Sequence, residues 1–284
     1  MKPRINASFS GGRSSAKMCE ILQRRFGDTH DIVYTFANTS WERQETLDFA
    51  HAVDRWLGLG LIWLEAVPHP GRKSCTHRVV SYETAACDGS VFGEVSAKYG
   101  VPNHTFSHCT RELKQNPIKS YLRSIGWDKG SYETAIGIRA DEPRRVRREV
   151  AERERIIYPL VDIESVDKQD VLDFFEPFPW DLKIAEHQGN CVACYKKSDA
   201  KLLRLYREDP RNFDFPVHLD QLYRNVGPNN VPGPRKMYRG YRSASELVAE
   251  FEAAGPGYRP PVTDGGCSES CELYETEQMQ LFPA

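Results

Sequence analysis

The chain has 284 residues, long enough for one sizeable core with extensions or for two small domains. Hydrophobic residues make up 40%, charged residues 27%, and the formal net charge is −2, which argues against wholesale disorder and against overall attraction to nucleic acid or a membrane. No apolar run approaches the roughly 18–20 residues a bilayer crossing takes, and Met1–Ile5 leads into a strand-like segment without a signal-peptide core, so a soluble cytoplasmic protein with no membrane partner is expected.

In chain order, the spacing predicts a strand over Arg4–Phe9 and a helix over Ser15–Phe26, with Ser15, Cys19, Leu22 and Phe26 on one face. A buried-type strand follows at Asp31–Ala37, a helix at Glu42–Leu57 and a third strand at Leu61–Val67. Pro68–Ser107 breaks this rhythm and reads as an insertion over the sheet edge. Beyond it come a helix over Arg111–Ser124 despite Pro117, a strand over Ser131–Ile138, a charged helix over Arg144–Arg155, a last strand over Ile156–Val161 and a helix over Lys168–Phe175. Helices at Ser198–Arg207 and Ser243–Ala254 lie in a stretch richer in Pro and Gly, and Gly255–Ala284 ends Pro/Gly-rich and then acidic. Strands alternating with helices predict an α/β fold, a doubly wound and mainly parallel sheet over residues 1–180 with an insertion at 68–107 and a Cys-containing extension over 181–284.

Two features carry chemistry. Ser10-Gly11-Gly12-Arg13-Ser14-Ser15 occupies the first strand-to-helix turn, where glycines let the backbone approach an anion and the helix N-terminus offers unpaired N–H groups. The same residues also suit a plain Gly-Gly turn with a serine cap. The second feature is eight cysteines in a chain with no secretory signal, where clustered thiols point to metal or redox chemistry rather than disulfides. Cys191-Val192-Ala193-Cys194 has the C-x2-C spacing that serves zinc, an iron–sulfur cluster or thiol exchange alike, with Lys196 and Lys197 beside it to offset thiolate charge. Cys19 sits on an apolar helix face and reads as a core residue, while Cys75 and Cys87 lie irregularly spaced among His69, His77 and His104.

Four segments resemble one superfamily. SGGRSS is similar to the SGGxDS pyrophosphate loop of the PP-loop, adenine nucleotide alpha-hydrolase-like enzymes, and Asn38–Thr46 (NTSWERQET) to the NTG…E…ET segment of their phosphoadenosine phosphosulfate (PAPS) reductase branch. His108–Pro117 resembles that branch's Cys-Cys…Lys…Pro segment, and Gly137–Arg144 its G-x-R-x-x-E-x-x-R. The chain departs where Arg13 replaces the loop lysine and Ser14 the aspartate of ATP-using members, where Cys109 is followed by Thr110, and where the reductases' Glu-Cys-Gly-Leu-His ending is absent.

The resemblance implies a Rossmann-type fold and an enzyme, either a PAPS/APS reductase-family oxidoreductase or a PP-loop sulfurtransferase. It places an adenine nucleotide (ATP, APS or PAPS, with or without Mg2+) on Ser10, Gly11, Gly12, Arg13, Ser14, Ser15, Asn38, Thr39, Gly137, Arg139 and Arg144. It further implies a [4Fe–4S] cluster, with zinc as the alternative, on Cys109, Cys191 and Cys194; the fourth position falls to Cys271, Cys267 or His108, or stays open. Arg139 and the tail thiols Cys267 and Cys271 are the implied catalytic residues, served by a thiol reductant or a sulfur donor. Transfer of sulfur to tRNA or DNA is the alternative, and the aromatic and basic run Arg235–Arg242 suits such a partner or a plain surface turn. A third reading is a non-catalytic nucleotide or nucleic-acid-binding protein with a structural or redox-sensing metal site.

Overall fold

The computed structural model describes residues 2–227, 233–255 and 257–260, so Cys267 and Cys271 lie outside the described residues. Six strands form one sheet in the order β4-β3-β2-β1-β5-β6. They are β1 (Arg4–Phe9), β2 (Asp31–Asn38), β3 (Ile62–Val67), β4 (Thr76–Val80), β5 (Glu133–Ala135) and β6 (Ile156–Ile157). All neighbours run parallel except β3 and β4. The expected α/β, mainly parallel sheet is therefore present, and its one antiparallel edge comes from the insertion.

Helices α1 (Arg13–Phe26), α2 (Gln44–Leu57), α6 (Pro159–Asp162) and α7 (Lys168–Phe175) belong to the layer on one face. There Ile5, Ala7 and Phe9 of β1 pack with Met18, Ile21 and Leu22 of α1 and with Phe49 and Phe175. The period-two pattern of β1 sends Asn6 and Ser8 to the opposite side, where Asn6 accepts a hydrogen bond from Thr35 Oγ1 at 2.9 Å. On that side, α4 (Asn116–Ser124) covers Ala37 and Leu64 with Ile118 and Leu122. Between them α3 (Ser90–Tyr99) lies in the insertion, and α5 (Arg148–Glu154) covers Ile136 and Ile138 with Ala151.

The remaining helices, α8 (Asp199–Glu208), α9 (Asp214–Tyr223) and α10 (Ala244–Ala253), do not pack on the main core. Their apolar faces share a second core with the insertion: Val91, Phe92 and Val95 meet Leu202, Leu205, Phe213, Leu219 and Leu247. Insertion and C-terminal segment thus fold as partners, each burying what the other leaves exposed.

Four elements differ from their sequence expectation. The helix expected over Arg111–Ser124 begins as a π-helical stretch, Thr110–Gln115, which gives way to α4 where Pro117 removes an N–H from the i→i−4 ladder. The expected strand Ser131–Ile138 makes ladder bonds only over Glu133–Ala135, because its outer neighbour β6 stops after two residues. That neighbour is short because Pro159 opens α6. The charged helix expected over Arg144–Arg155 is interrupted at Val146–Arg147, between a 3-10 turn and α5.

Asp220 on α9 is buried and accepts the N–H of Ala244 at the start of α10. Burial pushes its carboxyl up to about 6. Its folded-state value thus lies above that of the unfolded chain, so this group's contribution to stability is fully present below about pH 4 and is lost as the pH rises through about 6. Asp220→Asn keeps the acceptor without the charge and is expected to be about 2 kcal/mol more stable at pH 7.5. Urea unfolding at a series of pH values checks this, with the two proteins expected to converge near pH 4.

Candidate active site at the sheet's carboxyl edge

The strand order reverses between β1 and β5, and in open α/β sheets such a switch point leaves a crevice beyond the carboxyl ends of the strands. Here the loop after β1 is Ser10–Gly12, and the segment after β5 carries Gly137 and Arg139. Two glycines make the geometry possible. Gly11 sits at φ +82°, and a Cβ there would come within 2.7 Å of Thr46. A Cβ on Gly137 would stand 2.7 Å from Ser15 Cα and 2.9 Å from its nitrogen, so only glycine lets the β5 segment lie against the loop.

The loop is braced from inside. Ser15 Oγ accepts from Ser10 N at 3.0 Å and donates to the Gly12 carbonyl at 2.9 Å. Ser14 Oγ accepts from Arg139 at 3.2 Å. Of the three arginines expected at the nucleotide, Arg13, Arg139 and Arg144, the first two are engaged within the protein. Arg13 forms a two-pronged pair with Asp181, at 2.7 and 2.9 Å, and also donates to the Leu182 carbonyl. Arg139, itself buried, pairs with Asp141 at 2.8 Å and lies 3.8 Å from Glu142. Arg144 stands exposed on the neighbouring turn.

Asn38 is wholly buried and fully used: its amide donates to Glu65 and to the Ala86 carbonyl, each at 2.8 Å, while its oxygen accepts from Ser40 N at 3.0 Å. These bonds tie the end of β2 to the insertion. Glu65, which nothing in the sequence marked out, is the buried carboxylate on the other side of that tie. It also accepts from Ala86 N at 2.7 Å and from Arg78 at 2.8 Å.

The thiols meet just beyond the carboxyl end of β2. Cys109, Cys191 and Cys194 line one cavity together with Thr39, Trp41, Thr110, Lys114, Tyr195 and Lys196, a space of about 370 Å3 including its open mouth. Residues far apart in the sequence thus converge. Thr39 Oγ1 lies 3.3 Å from Cys191 Sγ and donates to Glu42 at 2.8 Å. Val192 N donates to the Trp41 carbonyl at 2.9 Å. Below the turn, the buried Lys197 ammonium donates to the carbonyls of His187 and Val192 at 2.7 and 2.8 Å. Cys109 lies 3.6 Å from the Tyr195 hydroxyl.

Burial pushes the Cys191 thiol well up, with Glu42 and Cys194 adding to the rise and Lys114 and Thr39 opposing it. Without a bound metal it is a neutral thiol, and binding must displace its proton. The donor set fits a thiolate-bound group: three sulfurs line the cavity with two lysines to offset thiolate charge, and the Glu42 carboxylate lies 4.0 Å from Cys191 Sγ. Among the described residues no three Cys, His, Asp or Glu side chains already stand at single-ion spacing.

The other candidates fall outside this site. His108 does not line the cavity; its buried ring packs against Tyr99, and burial, then Arg111 and Arg235, bring it down to about 4. Cys19 is a core residue as expected. Burial, with Glu112 beside it, raises the Cys75 thiol to about 12, whereas the exposed Cys87, which donates to the Glu42 carbonyl at 3.3 Å, is raised to about 11 by partial desolvation and by nearby Glu42 and Asp88. His69 bonds Thr76, His77 bonds Ser120, and His104 packs edge-on against Tyr195, so these histidines are occupied separately. The basic run at 235–242 is largely tied down: Arg235 donates to the Tyr99 carbonyl, Lys236 pairs with Glu246, Arg239 donates to the Lys196 carbonyl, and Arg242 pairs with Asp199 and Glu250.

No family model matches the chain. It is 29% identical over 281 residues to the uncharacterized nin region protein ORF290 of Escherichia phage lambda, covering 94% of each chain. Among solved structures it is similar to the U34-tRNA thiolase NcsA from Methanococcus maripaludis with its [4Fe-4S] cluster, at 13% identity over 88% of this chain and 72% of that one. The TM-score of 0.41 is too low for that likeness to carry an argument. Among the described residues no helix is long and apolar enough to cross a membrane.

Gly137→Ala tests whether the switch-point loops form one unit. The clash with the Ser15 backbone is expected to cost about 2 kcal/mol and to abolish any binding of adenine nucleotide. Thermal unfolding and equilibrium dialysis with ATP and AMP check both effects.

Proposed function

We propose that this chain is an enzyme that binds an adenine nucleotide at the β1–β5 crevice and carries out sulfur chemistry in the adjoining three-thiol cavity. One observation carries the reading: Cys109, Cys191 and Cys194 line a single cavity that shares the Thr39–Trp41 loop with the carboxyl edge of the sheet. The four motif resemblances to the PP-loop and PAPS reductase-like enzymes support it, and the thiol set agrees with them.

In this reading, the N–H groups of Ser10–Ser15 and the N-terminus of α1 cradle the phosphates, with Ser14 and Arg139 beside them and Arg144 at the mouth. Cys109, Cys191 and Cys194 would hold a [4Fe–4S] cluster, which when bound supplies an electron reservoir or an iron that takes up sulfur. Lys114 and Lys196 offset the thiolate charge, and Trp41, Phe92 and Leu113 limit water around it. Sulfonucleotide reduction with an external thiol and nucleotide-activated sulfur transfer to tRNA or DNA both use this layout, and the released products separate them. The tail thiols Cys267 and Cys271 remain the proposed nucleophiles for the reductive case.

A specific observation favours a second reading. Arg13 and Arg139 are already neutralised by Asp181 and Asp141, as a nucleotide-binding protein without catalysis would tolerate.

Anaerobically purified protein incubated with ATP, APS or PAPS distinguishes these. Sulfite release with a thiol reductant supports reduction, and AMP or pyrophosphate release that depends on RNA or DNA supports transfer. Nucleotide binding without any turnover supports the second reading, and no binding at all overturns both. Cys191→Ser is expected to lower turnover at least a hundredfold, whereas Cys19→Ala is expected to leave it unchanged and cost about 1 kcal/mol of stability.

A further inference from the structure

The insertion at 68–107 supplies no thiol to the cavity, yet it grips the loop that shapes it. Ser40, buried between Thr39 and Trp41, has φ +65°, a left-handed backbone that costs a non-glycine residue free energy. What offsets that cost is visible. Ser40 Oγ accepts from Val91 N at 3.0 Å and Phe92 N at 3.3 Å, and its carbonyl accepts from Gly89 N at 2.7 Å. Those three N–H groups open α3, whose own N-cap residue, Gly89, has no side chain to cap it. A serine some fifty positions upstream thus caps the second and third residues of the insertion's helix, while Asp88 accepts the N–H of the first, Ser90, at 2.9 Å.

The cap holds a stack of further contacts. Phe92 on α3 packs edge-on against Trp41 at 5.1 Å, and Phe215 of α9 closes the triangle at 5.0 Å from Trp41. A Cβ on Gly89, at φ +80°, would stand 2.6 Å from the Phe215 ring, so the helix start fits closely under it. On either side of Ser40, Thr39 meets Cys191 and the Trp41 carbonyl takes the N–H of Val192. The facing turn carries a second left-handed residue, Asn190 at φ +62°, immediately before Cys191. Two non-glycine residues in this strained region therefore flank the contact between the loops.

We infer that Ser40 is a positioning residue through which the insertion sets the accessibility and metal affinity of the Cys191–Cys194 turn. The insertion is then a clamp rather than a lid: its helix α3 holds Ser40 left-handed, and Ser40 aims Thr39 and the Trp41 carbonyl at the turn. The metal part of this inference rests on the reading of the thiol cavity given above, and the clamp itself does not.

Three variants of the full-length chain separate the parts. Ser40→Gly keeps the left-handed backbone and loses the acceptor, Ser40→Ala loses both, and Ser40→Asn retains a side-chain acceptor and tolerates the backbone. The readout is the rate at which iodoacetamide modifies each cysteine of metal-free protein under native conditions, followed by peptide mass spectrometry. A buried thiol reacts only through local opening, so its rate reports how firmly that segment is held. Ser40→Ala is expected to speed modification of Cys191 roughly five- to tenfold, Ser40→Gly by less, and Ser40→Asn to restore most of the protection, while Cys19 in the main core stays protected throughout. Zn2+ affinity, measured on the same proteins by chelator competition, is expected to fall in the same order.

Unchanged Cys191 protection in Ser40→Ala would overturn the inference, and so would equal acceleration at Cys19, which marks general loss of the fold. Wild-type protein that binds neither Zn2+ nor iron would instead overturn the metal reading, and the alkylation pattern would still decide the clamp.

Discussion

The contact between the loop after β2 and the Cys191–Cys194 turn, made by Val192 N on the Trp41 carbonyl and Thr39 on Cys191, is what the rest of the site depends on. It joins segments 152 residues apart and brings the only C-x2-C pair to the carboxyl edge of the sheet. Both loops need support, because each contains a left-handed non-glycine residue at the contact. That support comes from the shared second core, in which the insertion and α8–α10 bury their apolar faces against one another.

The polar framework follows the same logic. Buried charges are costly unless paired or hydrogen-bonded, and three of those near the site serve a loop. Glu65 ties Asn38 to the insertion, Lys197 ties the thiol turn to itself, and Arg139 ties the β5 segment to Ser14. Arg13 reaches from the phosphate loop to Asp181 on the segment that leads toward the thiol turn. The loops around the crevice and the cavity are therefore each held by polar contacts, as the proposed chemistry at two adjoining sites would require.

Much of the sheet was legible from sequence because its strands obey simple patterns. Arg4–Phe9 and Lys168–Phe175 have the bounds that their periodicity predicts, and the glycine-rich turn falls at the switch point. The site was legible where spacing is local, as in Cys191-Val192-Ala193-Cys194, and through resemblance for Cys109. Long-range partnerships were not. Nothing in the sequence shows that Asn38 spends its amide on Glu65, that Arg13 is held by Asp181, or that Ser40 caps a helix half a hundred residues ahead, since each depends on tertiary packing. Ser40 did leave one trace: it stands where the related segment has glycine, and a glycine position hints at a left-handed backbone. The basic run at 235–242 suited a partner or a plain turn alike, because composition shows cations but not the carboxylates that pair with them.

The most direct measurement is the metal content of anaerobically purified protein in which Cys109, Cys191, Cys194 or Cys75 is replaced singly by serine. The account holds that iron and acid-labile sulfide are lost together in the first three and retained in Cys75→Ser. Equal iron in all four proteins, or loss confined to the Cys191 and Cys194 variants, would contradict a site built from three converging thiols.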